Sequence, residues 1–284
     1  MSRIATTGCR ACGLSTAVAF GMLLVWLMSA SANGQEAVVT FGANESPPYW
    51  SKNLPYSGLC GEILHAMSQE INLESTIDFK PATRLFEDDS NNVTGDPLFF
   101  LAHRDFDATI PIALYYSALF YYRPNRKEDI TFARLADLRG YKIGVLKGTI
   151  VDRSYFAGAG ITFEESYSEQ SLFKKLKLGR LDMCICIDLV GHLTIQELFP
   201  EDAGNFAAIN IPRSVTPIAI MLTGKYPHAK ELAKQYRKGL RIITESGAYQ
   251  VILEKYYGKD GIPLNWFNTL ARFSDMYGTK GESP

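Results

Sequence analysis

The stretch Leu135-Ala136-Asp137-Leu138-Arg139-Gly140-Tyr141-Lys142-Ile143-Gly144-Val145-Leu146-Lys147-Gly148-Thr149 decides how the rest of the chain is read. The apolar run Lys142 to Leu146 predicts a buried strand, Lys147-Gly148-Thr149 turns the chain, and Ile150 to Phe156 predicts a following helix. The same strand and helix unit recurs outward in both directions. Upstream, Ala37 to Phe41 predicts a strand that ends in the loop Gly42 to Asn53, where Ser46-Pro47-Pro48 neither continues a strand nor enters a helix easily. Gly61 to Ile71 sets Ile63, Leu64, Met67 and Ile71 near helical spacing, and a strand over Ser75 to Phe79 follows. Downstream, Gln170 to Leu178 predicts an amphipathic helix and Met183 to Ile187 a strand. Asp188 to Leu198 predicts a helix that stops before Pro200. Two amphipathic helices, Ala229 to Thr244 and Ala248 to Tyr257, come before a polar tail from Thr279 to Pro284 that reads as frayed. Alternation of this kind predicts an α/β protein with mainly parallel sheets and helices on both faces.

Composition narrows the function. Across 284 residues, 29 Lys and Arg balance 30 Asp and Glu, which leaves no basic excess for a phosphate backbone and argues against a nucleic-acid partner. Arg3 and Arg10 precede the apolar run Ala17 to Met28, and Ala30-Ser31-Ala32 is a small-x-small pattern. Residues 1–32 therefore read as a signal peptide cleaved after Ala32, and the mature protein is expected to be soluble outside the cytoplasm. The apolar run is shorter than the roughly 20 residues of a membrane-spanning helix. Cys9 and Cys12 fall within the signal, leaving Cys60, Cys184 and Cys186; Cys184 and Cys186 share one face of their strand and read as buried free thiols. The four histidines are scattered and no Gly-rich phosphate loop is present, so no metal or cofactor is expected.

Several landmarks, taken in order, resemble the bacterial extracellular solute-binding protein family 3, which serves polar amino-acid ABC transporters. They are Pro47-Pro48-Tyr49 after the first strand; Thr109-Ile110-Pro111-Ile112 through Tyr121-Tyr122-Arg123; Leu135 to Val145; Lys147-Gly148-Thr149; Gly179-Arg180-Leu181-Asp182; and Gly247-Ala248-Tyr249-Gln250 through Tyr256-Tyr257-Gly258. The resemblance covers nearly all of the mature chain and implies a two-lobed type II periplasmic-binding-protein fold. Residues 33–122 and 220–284 would form lobe 1 and 123–219 lobe 2, with crossings at Arg123-Pro124 and Ser214-Val215-Thr216-Pro217. The lobes would close on a small polar ligand, an amino acid or related carboxylate, which a monomer would deliver in the periplasm to the membrane permease of an ABC transporter. Two other functions are consistent with the resemblance: a periplasmic dehydratase of cyclohexadienyl acids, with Glu45 as its hint, and a ligand-sensing partner of a membrane receptor.

Candidate ligand residues follow from the same resemblance. Gly148 and Thr149 stand where a strand feeds a helix; they either receive a carboxylate on backbone N–H groups and the Thr hydroxyl or form an ordinary turn and cap. Arg104, before Thr109-Ile110-Pro111, is the expected carboxylate clamp of lobe 1 or else a solvated arginine, and Arg84 is a second candidate. Asp188 receives a ligand ammonium or caps the next helix. Tyr49, Trp50, Tyr115 and Tyr116 wall the cleft or serve the core, and aromatic faces attract cations.

Overall fold

The computed structural model describes residues 38–87, 89–147 and 153–278. The predicted signal peptide, the polar tail, and Gly148 and Thr149 of the predicted binding turn lie outside the described residues. The strands are β1 (Val39–Ala43), β2 (Ser75–Phe79), β3 (Asn92–Gly95), β4 (Ala108–Tyr122), β5 (Ile143–Leu146), β6 (Phe163–Ser166), β7 (Met183–Ile187) and β8 (Phe206–Leu222). Between and after them run α1 (Leu59–Glu70), α2 (Ala82–Glu87), α3 (Pro97–Leu101), α4 (Arg153–Gly158), α5 (Glu169–Lys177), α6 (Asp188–Leu198), α7 (Ala229–Glu245), α8 (Ala248–Tyr257) and α9 (Trp266–Gly278).

One sheet holds all eight strands in the order β2-β1-β3-β8-β4-β7-β5-β6. Parallel pairing is confined to the flanks, β1 with β2 and β3, and β5 with β6 and β7. The centre is an antiparallel pair, β4 with β8, running from Ala108 opposite Leu222 to Tyr122 opposite Phe206, with irregularities at Pro111/Ala113 and Tyr116/Ala118. The architecture is thus mixed at its middle, where the sequence pattern predicted mainly parallel sheets. Both central strands are long, 15 and 17 residues, and each serves two halves of the molecule. Near Gly95 to Val93, β8 pairs with β3; from Ser117 to Phe120, β4 pairs with β7. The change of neighbours falls inside the strands, at the Tyr116 irregularity, rather than in a loop.

Apolar burial follows the same division. Phe41, Ile63, Met67, Ile112, Tyr236 and Leu253 belong to one large core under α1, α7 and α8. In the other half the sheet is covered on both faces: Phe120 joins Leu172, Phe173 and Leu176 of α5, while the adjacent Leu119 joins Ile143 and Met183. Successive residues of a strand point to opposite faces, so β4 must present apolar side chains both ways there, and Ala118, Leu119 and Phe120 do. Helix α5 starts on the side chain of Ser168, which accepts from the Ser171 N–H at 3.2 Å.

Two glycines permit close approaches that place helices. A Cβ on Gly239 of α7 would lie 2.7 Å from the Met67 carbonyl oxygen, so glycine lets α7 rest against α1. A Cβ on Gly191 of α6 would lie 2.3 Å from the Phe120 ring, so glycine lets α6 sit on β4. That second contact fixes where the first turn of α6, and with it Asp188, meets the middle of the sheet.

Candidate functional site

Asp188 follows directly from the last residue of β7, and Ile187 of that strand pairs with Ser117 of β4. Its carboxylate therefore emerges at the level where the two halves join. It is only 5% exposed. Tyr49, from the loop between β1 and α1, donates its hydroxyl to Oδ1 at 2.8 Å, and Tyr257, the last residue of α8, donates to Oδ2 at 3.0 Å. The two hydroxyl oxygens are 3.3 Å apart. Backbone N–H groups of Leu189 and Tyr116 also turn to the carboxylate. Tyr49 and Tyr257 pack with the large core of the first half, and Leu189 joins that core from α6. One acid thus binds three segments that are distant in sequence.

Electrostatics make this acid unusual. Burial pushes the Asp188 carboxyl above the usual carboxylate range, and the hydroxyl and N–H donors offset only part of that. Among the described residues no Lys or Arg forms an ion pair with it. His192, one turn further along α6, is the nearby titratable base, and burial lowers its pKa, so the uncharged imidazole is favoured. A buried carboxylate normally has a cationic partner, because isolated charge in a low-dielectric interior is costly.

Aromatic rings surround the acid. Tyr115 of β4 stands edge-on to Tyr49 with ring centroids 6.3 Å apart, and its hydroxyl donates to Asp96 at 3.2 Å. Asp96 also caps α3, accepting from the Leu98 N–H at 2.9 Å, and burial raises its pKa as well. On the other side Tyr257 and Tyr116 flank Trp266, with centroids 5.6 and 6.1 Å from it. The buried Trp50 indole N–H has no hydrogen-bond partner among the described residues.

Of the residues singled out from sequence, Tyr49, Tyr115 and Asp188 come together, and Tyr116 belongs with them. Trp50 is buried beside Tyr49 in the same core. Arg84 is exposed on α2 and makes no contact with this cluster. Arg104 is held elsewhere. Its guanidinium donates to the carbonyls of Leu85 at 3.1 Å and Asp89 at 3.4 Å and to that of Asn91, and lies 4.4 Å from the Phe106 ring. It staples the connection from α2 to β3, and a donor set committed to main-chain carbonyls has little left for a solute carboxylate. Tyr257 was missed as a site residue. Its place at the end of an amphipathic helix, just before Gly258, marked it only as part of a family landmark.

No family model and no curated protein matches the chain. Solved structures do. A histidine kinase sensor domain with similarity to periplasmic binding proteins matches at 21% identity over 78% of this chain and 97% of that one, TM-score 0.56. The second substrate-binding domain of a putative amino acid ABC transporter from Streptococcus pneumoniae matches at 19% identity over 77% and 99%, TM-score 0.55. This chain has the type II periplasmic-binding-protein fold. The arginine-, lysine-, histidine-binding protein ArtJ from Geobacillus stearothermophilus is similar too, at 16% identity over 83% and 100%, TM-score 0.54. With these structures the chain shares its curled mixed sheet, and the Asp188 cluster lies at the join between the two halves of that sheet.

Proposed function

We propose that this chain is an exported solute-binding protein, which holds a small polar molecule between its two halves and passes it to the permease of an ABC transporter. Residues 1–32 would direct export, and among the described residues no helix is long and apolar enough to cross a membrane. The solute would be an amino acid or a related small molecule, and its cationic amine would occupy the Asp188 cluster. The observation that carries this reading is a buried carboxylate without a cation, ringed by Tyr49, Tyr115, Tyr116 and Tyr257 at the join. The tyrosine hydroxyls meet Asp188 with neutral donors. An ammonium would bring an opposite charge to a carboxylate whose donors are otherwise neutral, adding a pair attraction to charge-assisted hydrogen bonds of about 1.5–3 kcal/mol each. The aromatic faces add roughly 0.5–2 kcal/mol of cation–π attraction in a desolvated site. Solute contacts from both halves exist together only when the halves are closed, so the solute favours closure.

The dehydratase alternative lacks comparable support. Glu45, the hint of a dehydratase acid, is committed to its own loop, accepting from the Ser51 hydroxyl at 2.5 Å and the Lys52 N–H at 3.3 Å. A receptor-coupled sensor would use the same site and differ only in its partner.

The test is thermal denaturation of the mature protein against matched sets of small molecules. Arginine, lysine, putrescine and choline represent cations, while succinate and malate represent anions without an amine. The proposal expects at least one cation to raise the melting temperature of the wild type and not of Asp188→Asn. Stabilisation by anions alone would contradict the assignment of the amine to Asp188.

A further inference from the structure

Away from the join, α7, α9 and the start of β4 enclose a groove of about 750 Å³. That volume lies within the roughly 300–1,000 Å³ span of small-molecule pockets. Its floor is apolar, built from Ile110 and Pro111 of β4, Leu240 of α7, and Phe267 and Leu270 of α9. Arg237 and Arg241 form one wall, a turn apart on α7, and neither makes a hydrogen bond or ion pair among the described residues. Glu245 continues that wall without pairing to Arg241, and Asp275 on α9 has an interaction of its own. Arg237 also borders an adjoining cavity of about 110 Å³ with Lys230 and Lys234, beside Asp107. Positive charge therefore runs along α7 at spacings that keep it on one helix face.

Unpaired guanidinium groups above an apolar floor are complementary to a molecule with an anionic head and an apolar body. We propose that the groove between α7 and α9 is a second ligand site, separate from the Asp188 cluster, which binds a soluble amphiphilic anion such as a medium-chain carboxylate. Arg237 and Arg241 take the head, each able to present two parallel N–H donors to a carboxylate. Ile110, Leu240, Phe267 and Leu270 cover the chain.

Calorimetry on the mature protein with three probes that share one tail decides it: decanoate, decanol and decyltrimethylammonium. Decanoate is expected to bind at least about tenfold more tightly than either of the others, since only it gains charge-assisted bonds. The double variant Arg237→Glu with Arg241→Glu is expected to lose at least about that factor for decanoate. Ala271→Trp, which fills the groove from α9 without altering charge, is expected to weaken decanoate as well and covers the case in which the charge-reversed protein fails to fold. Equal affinity for the three probes, no binding of decanoate, or unchanged decanoate binding in a folded groove variant would each overturn the proposal. Binding to phosphatidylglycerol vesicles without binding of free decanoate would also overturn it, making the basic face of α7 a membrane-contact surface instead.

Discussion

Asp188 and Asp202 each accept a tyrosine hydroxyl at 2.8 Å, from Tyr49 and Tyr122 respectively, yet their surroundings act in opposite directions. Asp202 lies at the surface of the second half, where Lys177 pairs with it at 2.7 Å and Asn205 donates to it; these donors hold its carboxyl down at about 2. Asp188 has tyrosines on both oxygens and, among the described residues, no cation, and burial drives its carboxyl up. The first is a complete surface ion pair. The second is an ion pair with one half missing, at the place where a solute would enter. A tyrosine contact alone does not distinguish the two acids; the depth of burial and the absence of a cationic partner among the described residues are what the proposed binding role of Asp188 rests on.

The largest effect that tests this contrast is on binding. Asp188→Asn is expected to weaken an amine-bearing solute by about 2–5 kcal/mol in calorimetry, the cost of removing one charge from a desolvated pair. Asp202→Asn is expected to leave that affinity unchanged, and a comparable loss from it would dissolve the distinction.

Removing the Arg104 staple comes next. Arg104→Ala is expected to lower stability in denaturant melts by about 1–3 kcal/mol, because the carbonyls of Leu85 and Asn91 lose their donor. Solute affinity should not move. A selective loss of affinity with stability intact would restore Arg104 to the carboxylate-clamp role its sequence position predicts.

Tyrosine truncations sharpen the comparison further. Tyr257→Phe takes one donor from a buried carboxylate and is expected to cost about 1–3 kcal/mol of stability. Tyr122→Phe leaves Asp202 with Lys177 and Asn205, and its cost should stay within about 0.5 kcal/mol.

The smallest signal is the pH dependence, where the two acids differ in sign. For Asp202 the folded pKa is depressed, so its contribution is present above the unfolded carboxylate value and disappears as pH falls toward about 2. For Asp188 the folded pKa is raised, so the folded state binds the extra proton and the contribution of this group declines as pH rises from about 4. Thermal melts of the two Asn variants against wild type should therefore diverge in opposite directions between acid and neutral pH. Parallel profiles would show that Asp188 is as well compensated as Asp202.

Much of this was legible in the sequence where one face of an element is apolar. The ranges of α1, β2, β7 and α8 follow from periodicity because each buries a single stripe or a short run. The central pair β4 and β8 was not legible. Most of β4 and the last third of β8 are buried on both faces, and the strands carry Pro111 and Pro217, which normally break strands, so Ser214 to Pro217 read as a crossing segment although it lies within β8. Both prolines sit close to or within the irregular middle of the pair, where Pro217 faces Leu114 and the register shifts after Pro111. Asp188 was half legible: as the first residue after an apolar strand it fits a cap as well as a ligand group, and the arrival of Tyr49 and Tyr257 from far along the chain has no trace in the local sequence. The contacts of Arg104 were not legible, because main-chain carbonyl partners leave no trace in side-chain identity.

The most direct test of the account is mass spectrometry of small molecules released by denaturing the purified mature protein and its Asp188→Asn variant, prepared identically. A solute carrying a protonated or quaternary nitrogen, recovered from the wild type and depleted in the variant, is the predicted result. Recovery of an amine-free solute, or of the same solute in equal amounts from both proteins, would contradict the claim that Asp188 awaits a cation.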